Sequence, residues 1–106
     1  MDSAADLFRT LADGTRRALY ERLAVEGELS VGALTDGSGV SQPAVSQHLK
    51  ALRGAGLVAE QRRGRTVLYR ANPEGLAPLM NWMGFYGRFW RDRFDALEDT
   101  LKRMDQ

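Results

Sequence analysis

Cysteine is absent from the 106 residues. That excludes disulfides, iron–sulfur clusters, thiolate zinc sites and thiol redox sensing. The lone histidine, His48, has no second imidazole to share a metal with, so no metal site is expected beyond a carboxylate one. No apolar run approaches the ~20 residues needed to span a bilayer. The opening stretch, Met1 to Asp6, is small and acidic, so no signal peptide is expected and the chain reads as cytoplasmic, with no membrane partner. His48 also lacks spaced Ser and Asp partners for a relay, which argues against an enzyme and against any cofactor. No repeat, low-complexity tract or interdomain linker divides the chain.

What is present is ordinary globular composition, 43% hydrophobic and 27% charged, in a length that suits one domain, residues 1–106. So short a chain buries a limited core, and a partner subunit often supplies the rest. The net charge of +1 conceals an asymmetry. Between Gln42 and Ala71 stand Lys50, Arg53, Arg62, Arg63, Arg65 and Arg70 against Glu60 alone, a surplus of five basic charges. The remainder of the chain is therefore acidic. A basic block in an acidic chain is the charge pattern of a nucleic-acid binder, although a solvated basic face has the same composition.

Helical periodicity opens the chain. Leu7, Phe8 and Leu11 share one face of a short helix spanning about 3–12. Thr15 is expected to cap a second helix, Arg16 to about Val25, whose buried side is read as Ala18, Leu19, Leu23 and Val25, with Gly27 as its stop. Ser30 caps a short third helix. Asp36-Gly37-Ser38-Gly39 makes a turn, and Ser41 with Pro43 opens a fourth helix that carries Val45, Leu49 and Leu52. The period then changes from 3.6 to 2. Leu57–Gln61 and Thr66–Arg70 read as two strands joined through Arg62-Arg63-Gly64-Arg65. A long last helix runs from about Glu74 to Met104. The fold class is mainly α with a small β-hairpin: a winged helix-turn-helix of order α-α-α-α-β-β-α, with the helix-turn-helix at about 30–55, the wing at about 57–71 and the long helix at about 74–104.

The fourth helix carries the chemistry. Opposite its apolar stripe lie Pro43, Ser46, Gln47 and Lys50. Glutamine can bond an adenine edge in two places, serine can reach bases or phosphates, and lysine supplies charge. Ser41 and Gln42 stand at the helix start, where free N–H groups can meet a phosphate. Arg62, Arg63 and Arg65 around Gly64 repel each other and have no evident folding role, which suits a wing gripping DNA backbone or a minor groove. His48, beside the apolar stripe, reads as a packed imidazole.

Leu7 to Arg17, Val40 to Leu52 with Gly56-Leu57-Val58, and the wing from Arg62 to Tyr69 together resemble the ArsR/SmtB winged-helix repressors over nearly the whole chain. The resemblance implies a homodimeric repressor of double-stranded DNA that binds an inverted-repeat operator. It places Gln42, Pro43, Ser46 and Gln47 at the base-contacting positions and Arg62, Arg63 and Arg65 at the wing tip. It also marks a departure, because Ser30 and Gly32 stand where metal-sensing members carry thiolates, and the last helix has no histidine. Metal and thiol sensing are therefore not carried over.

On the last helix Leu79, Met83, Tyr86, Trp90, Phe94, Leu97, Leu101 and Met104 form one stripe, with Trp82, Phe85 and Phe89 beside it. The arc is wider than one core needs. We read Leu7, Phe8 and Leu11 with Leu79, Met83, Tyr86, Trp90, Phe94, Leu97 and Leu101 as a homodimer seam, since monomers rarely expose such a surface. Six of the nine aromatics lie between Trp82 and Phe94, so a box for an unknown small aromatic or cationic effector is an alternative, as is a winged-helix protein–protein module. Gly84 and Gly87 leave open a break in this helix.

Overall fold

The structure is a computed structural model in which residues 3–105 are described. Met1, Asp2 and Gln106 lie outside them, and with the first two goes part of the Met1 to Asp6 reading. Five α-helices and three strands follow in the order α1 (Ser3–Ala12), α2 (Gly14–Glu26), β1 (Leu29–Ser30), α3 (Val31–Thr35), α4 (Gln42–Gly54), β2 (Val58–Arg63), β3 (Thr66–Ala71) and α5 (Ala77–Met104). A 3₁₀ turn, Pro73–Leu76, precedes α5. The winged helix-turn-helix is therefore present, with one strand more than expected.

Capping sets the boundaries. The Ser30 hydroxyl accepts from the Ala33 N–H at 3.1 Å and Ser41 from Ala44 at 3.3 Å, as the sequence suggested. α2 is capped instead by Asp13, whose carboxylate accepts from the Arg16 N–H at 2.9 Å, and Thr15 lies inside the first turn. Both residues are good caps, and the carboxylate two positions earlier takes the free donor with charge assistance. This bond, the first of several causes, holds the Asp13 carboxyl below its ordinary value against some desolvation, with further help from the His48 and Arg16 charges.

The core joins Leu7, Leu19, Tyr20, Leu23, Leu34, Val45, Leu49, Leu52, Leu57 and Val58. Two readings of α2 need correcting. Val25 is 85% exposed and Ala18 is exposed, whereas Tyr20 is buried. At about 100° per residue, Leu19, Tyr20 and Leu23 share one arc and positions 18 and 25 fall on the opposite side. Leu7, expected at the seam between chains, is only 2% exposed and belongs to this chain's own core.

The sheet is antiparallel in the order β1-β3-β2. Leu29 opposes Tyr69 and Ser30 opposes Leu68, so β1 covers the inner edge of the wing. β2 and β3 pair from Val58↔Ala71 out to Arg63↔Thr66, leaving only Gly64 and Arg65 for the turn. Gly64 takes φ 62° while Arg65 stays at negative φ, the sign pattern of a two-residue type II′ hairpin turn.

The turn after β3 locks onto the end of α4. The Asn72 N–H donates to the Leu57 carbonyl at 2.8 Å, and the Asn72 side-chain amide donates to the Gly56 carbonyl at 3.1 Å. A Cβ on Gly75 would collide with that same Gly56 oxygen. From this anchor α5 leaves the body. It is continuous through Gly84 and Gly87, and none of its residues is buried. Leu76 and Leu79 pack against the core, and Phe8 of α1 meets Trp82 edge-on at 5.2 Å. Twenty-eight residues at about 1.5 Å each extend the molecule along α5, giving a longest dimension of 65 Å. No helix among the described residues is long and apolar enough to cross a membrane.

Candidate nucleic-acid interface

α4 divides its surface sharply. Val45, Leu49 and Leu52 are completely buried, which fixes the helix's rotation about its own axis. Gln42, Pro43, Ser46, Gln47 and Lys50 are all exposed as a consequence. Ser41 is also exposed. Its oxygen is engaged as the cap acceptor, and its O–H proton stays available to donate to a phosphate. His48 is turned inward, with its side chain 19% exposed. Its Nδ1 is covered from solvent and has no hydrogen-bond partner among the described residues, the nearest carboxylate oxygen being Asp13 Oδ1 at 4.0 Å. The packed-imidazole reading of His48 fits this position.

The turn ahead of α4 is braced from two sides. Arg22 of α2 donates through Nη1 to the Asp36 carbonyl at 2.8 Å and the Leu34 carbonyl at 3.3 Å, while its Nε pairs with Glu26 at 2.7 Å. Ser38 donates to the Thr35 carbonyl at 2.8 Å and accepts from the Val40 N–H at 3.2 Å. These bonds use up the loose carbonyls at the end of α3 and fix the entry of α4. Sequence reasoning missed Arg22, because its partners are backbone groups brought near only by the packing of α2 on α3.

The wing arginines are not equivalent. Arg62 and Arg65 are exposed and make no ion pair among the described residues, as is true of Lys50 and Arg70. Arg63 meets Glu28, just before β1, at 3.4 Å. Arg53 at the end of α4 pairs with Glu60 at 2.7 Å, and Glu60 also accepts from the Tyr69 hydroxyl at 3.2 Å. Burial, then the Glu60 charge and hydrogen bond, raise the Tyr69 phenol above its ordinary value. Glu60 lies directly across from Tyr69 in the β2–β3 register, so the hairpin pairing itself predicts this contact. Glu28 is legible only once β1 is known. Glu28 holds Arg63 and Glu60 ties the wing to α4, leaving Lys50, Arg62, Arg65 and Arg70 as uncompensated cations among the described residues.

Apart from Val25, the large exposed apolar side chains among the described residues lie on α1 and α5. Phe8, Met83, Tyr86, Trp90, Phe94, Leu97 and Leu101 are exposed, while Leu11 and Leu79 are half-buried against the core. Trp82, Met83, Tyr86, Phe89 and Trp90 line a groove of about 360 Å³. All five come from one helix, so the groove has no opposing wall to enclose a ligand. Arg93 already stacks on Phe89, 4.2 Å from its ring centre. Among the described residues no cluster of three or more His, Cys, Asp or Glu side chains is placed to hold a metal ion.

Residues 11–61 match the helix-turn-helix domain family. The chain is 49% identical over 83 residues to the HTH-type transcriptional regulator Rv2034 of Mycobacterium tuberculosis (strain ATCC 25618 / H37Rv), covering 78% of this chain and 74% of that one. It is 44% identical over 80 residues to the HTH-type transcriptional repressor SmtB of the same strain, covering 76% of this chain and 58% of that one. Among solved structures, the ArsR-like transcriptional regulator from Rhodococcus sp. RHA1 superposes with a TM-score of 0.72 at 30% identity, over 92% of this chain and 91% of that one.

Proposed function

Since the chain belongs to the ArsR/SmtB family of helix-turn-helix, DNA-binding transcriptional regulators, which are not enzymes, we propose that it is a homodimeric repressor that closes over an inverted-repeat operator. One observation carries the reading. The buried stripe of α4 turns Gln42, Ser46, Gln47 and Lys50 to solvent, and the uncompensated Arg62 and Arg65 stand at the tip of the adjoining wing. In this division of labour α4 reads base edges in the major groove. Ser41 and Pro43 seat its N-terminus, and Arg62 and Arg65 grip backbone. Arg63 joins them by exchanging Glu28 for phosphate.

Two-fold pairing along α1 and α5 sets two α4 helices against successive major grooves, about 34 Å apart. The exposed aromatic face supports this pairing, because burial against a second copy removes it from water. Metal sensing of the thiolate kind has no ligands here, with Ser30 and Gly32 at those positions.

The test is selection of bound fragments from the host genome, followed by anisotropy titrations on the recovered site. An inverted repeat with half-sites one helical turn apart is expected. Recovery of no DNA motif would favour a protein–protein module. A direct repeat would overturn the two-fold arrangement.

A further inference from the structure

A polar cleft of about 460 Å³ opens between α1, the start of α2 and the end of α4, within the roughly 300–1,000 Å³ typical of small-molecule sites. Arg16 forms part of its wall. The Arg16 guanidinium has five N–H donors. Its Nη1 reaches the Thr10 carbonyl at a long 3.5 Å, and its Nε is covered from solvent with no acceptor among the described residues. Asp13 feels this charge but bonds the Arg16 backbone N–H, not the guanidinium. The neighbouring arginines are better served. Arg17 reaches the Leu11 carbonyl at 2.9 Å, and Arg9, also in the cleft, meets Asp6 at 3.1 Å. With Arg9 and Asp6 balancing each other, Arg16 leaves the cleft one positive charge in surplus among the described residues. Ala51, Ala55 and Pro78 give the same cleft an apolar side.

We propose that this cleft binds a small organic acid, its carboxylate on the outer Nη1 and Nη2 groups of Arg16 and its apolar body against Ala51, Ala55 and Pro78. A guanidinium fork matches a carboxylate in two parallel bonds, and a single surplus charge favours a monoanion. The cleft touches α1, α4 and the first turn of α5 at once, so an occupant bears on both the dimer platform and the reading helix. This goes beyond the DNA-binding reading, and its binding step does not depend on it.

The test titrates the full ¹⁵N-labelled chain with sodium hexanoate, and in parallel with 1-hexanol and with sodium phosphate. Saturable shifts are expected at the Arg16 Nε–H, Thr10, Ala51 and Ala55 with hexanoate, and binding about tenfold weaker for the other two probes. Arg16→Leu should weaken hexanoate by about tenfold and Arg16→Lys by less. Because Arg16→Leu also removes a tie between α1 and α2, Ala55→Met serves as the second variant, filling the floor with Arg16 intact and again weakening binding. Hexanol or phosphate equal to hexanoate, scattered shifts that do not saturate, or unchanged binding in Ala55→Met would overturn the assignment. None of these outcomes involves DNA, so the operator reading stands or falls separately.

Discussion

α4 and α5 are both amphipathic helices, and they end in opposite surroundings. α4 sinks Val45, Leu49 and Leu52 out of all contact with water. α5 is more than twice as long and richer in aromatics, yet buries no residue. The stripe on a helix dictates that something must cover it and is silent about what. For α4 the cover is α2, α3 and β2 of the same chain, close by in sequence. For α5 the body reaches only to Trp82, which Phe8 meets, and the stripe from Met83 to Leu101 stays exposed.

The sharpest way to test that contrast is to delete one anchor from each helix. Leu49→Ala should cost about 2–5 kcal/mol of unfolding free energy, measured by urea denaturation, at every protein concentration. Trp90→Ala should leave the unfolding of dilute chain nearly unchanged and weaken self-association on the order of a hundredfold, read by sedimentation equilibrium. If Trp90→Ala destabilised the dilute chain as Leu49→Ala does, the two helices would not differ in the way argued.

Smaller effects sharpen the DNA-facing side. Gln47→Ala should cost about 1–3 kcal/mol on the preferred operator and little on other sequences, so that specificity falls more than affinity. Arg62→Ala with Arg65→Ala should weaken all sequences alike and lower the salt slope by about two per protomer, followed by anisotropy across salt concentrations. Equal losses on every sequence from both changes would erase the distinction between reader and grip.

The mildest change concerns Asp13. Its carboxyl titrates lower in the folded chain than in the unfolded one. Its contribution is therefore complete above the ordinary carboxylate value of about 4 and fades as pH falls through the lowered one. Asp13→Asn keeps a capping oxygen and removes the charge, so its urea midpoint should follow pH less steeply in that acid range.

Most of the architecture was legible because its signals are local. Ser30, Ser41 and Pro43 announce helix starts by their own chemistry, and Gly64 announces a tight turn. The exposed face of α4 follows from where Val45, Leu49 and Leu52 fall. What escaped depends on partners distant in the chain. β1 is two residues long and exists only through Tyr69 and Leu68 across the ladder. Spacing groups Leu7 with Phe8, yet they stand about 100° apart on α1, and packing sends Leu7 inward while Phe8 stays exposed. Arg22, Glu28 and Arg16 matter through backbone carbonyls, a wing and a cleft that the linear order does not place near them.

One hydrogen atom has consequences at long range. Where Gly75 presses on Gly56, no methyl fits, and the root of the long helix is set hard against the far end of the reading helix. In the homodimer we propose, a few degrees of scissoring between two long helices would swing both α4 helices together, like blades on one rivet, and change the spacer length that the pair accepts.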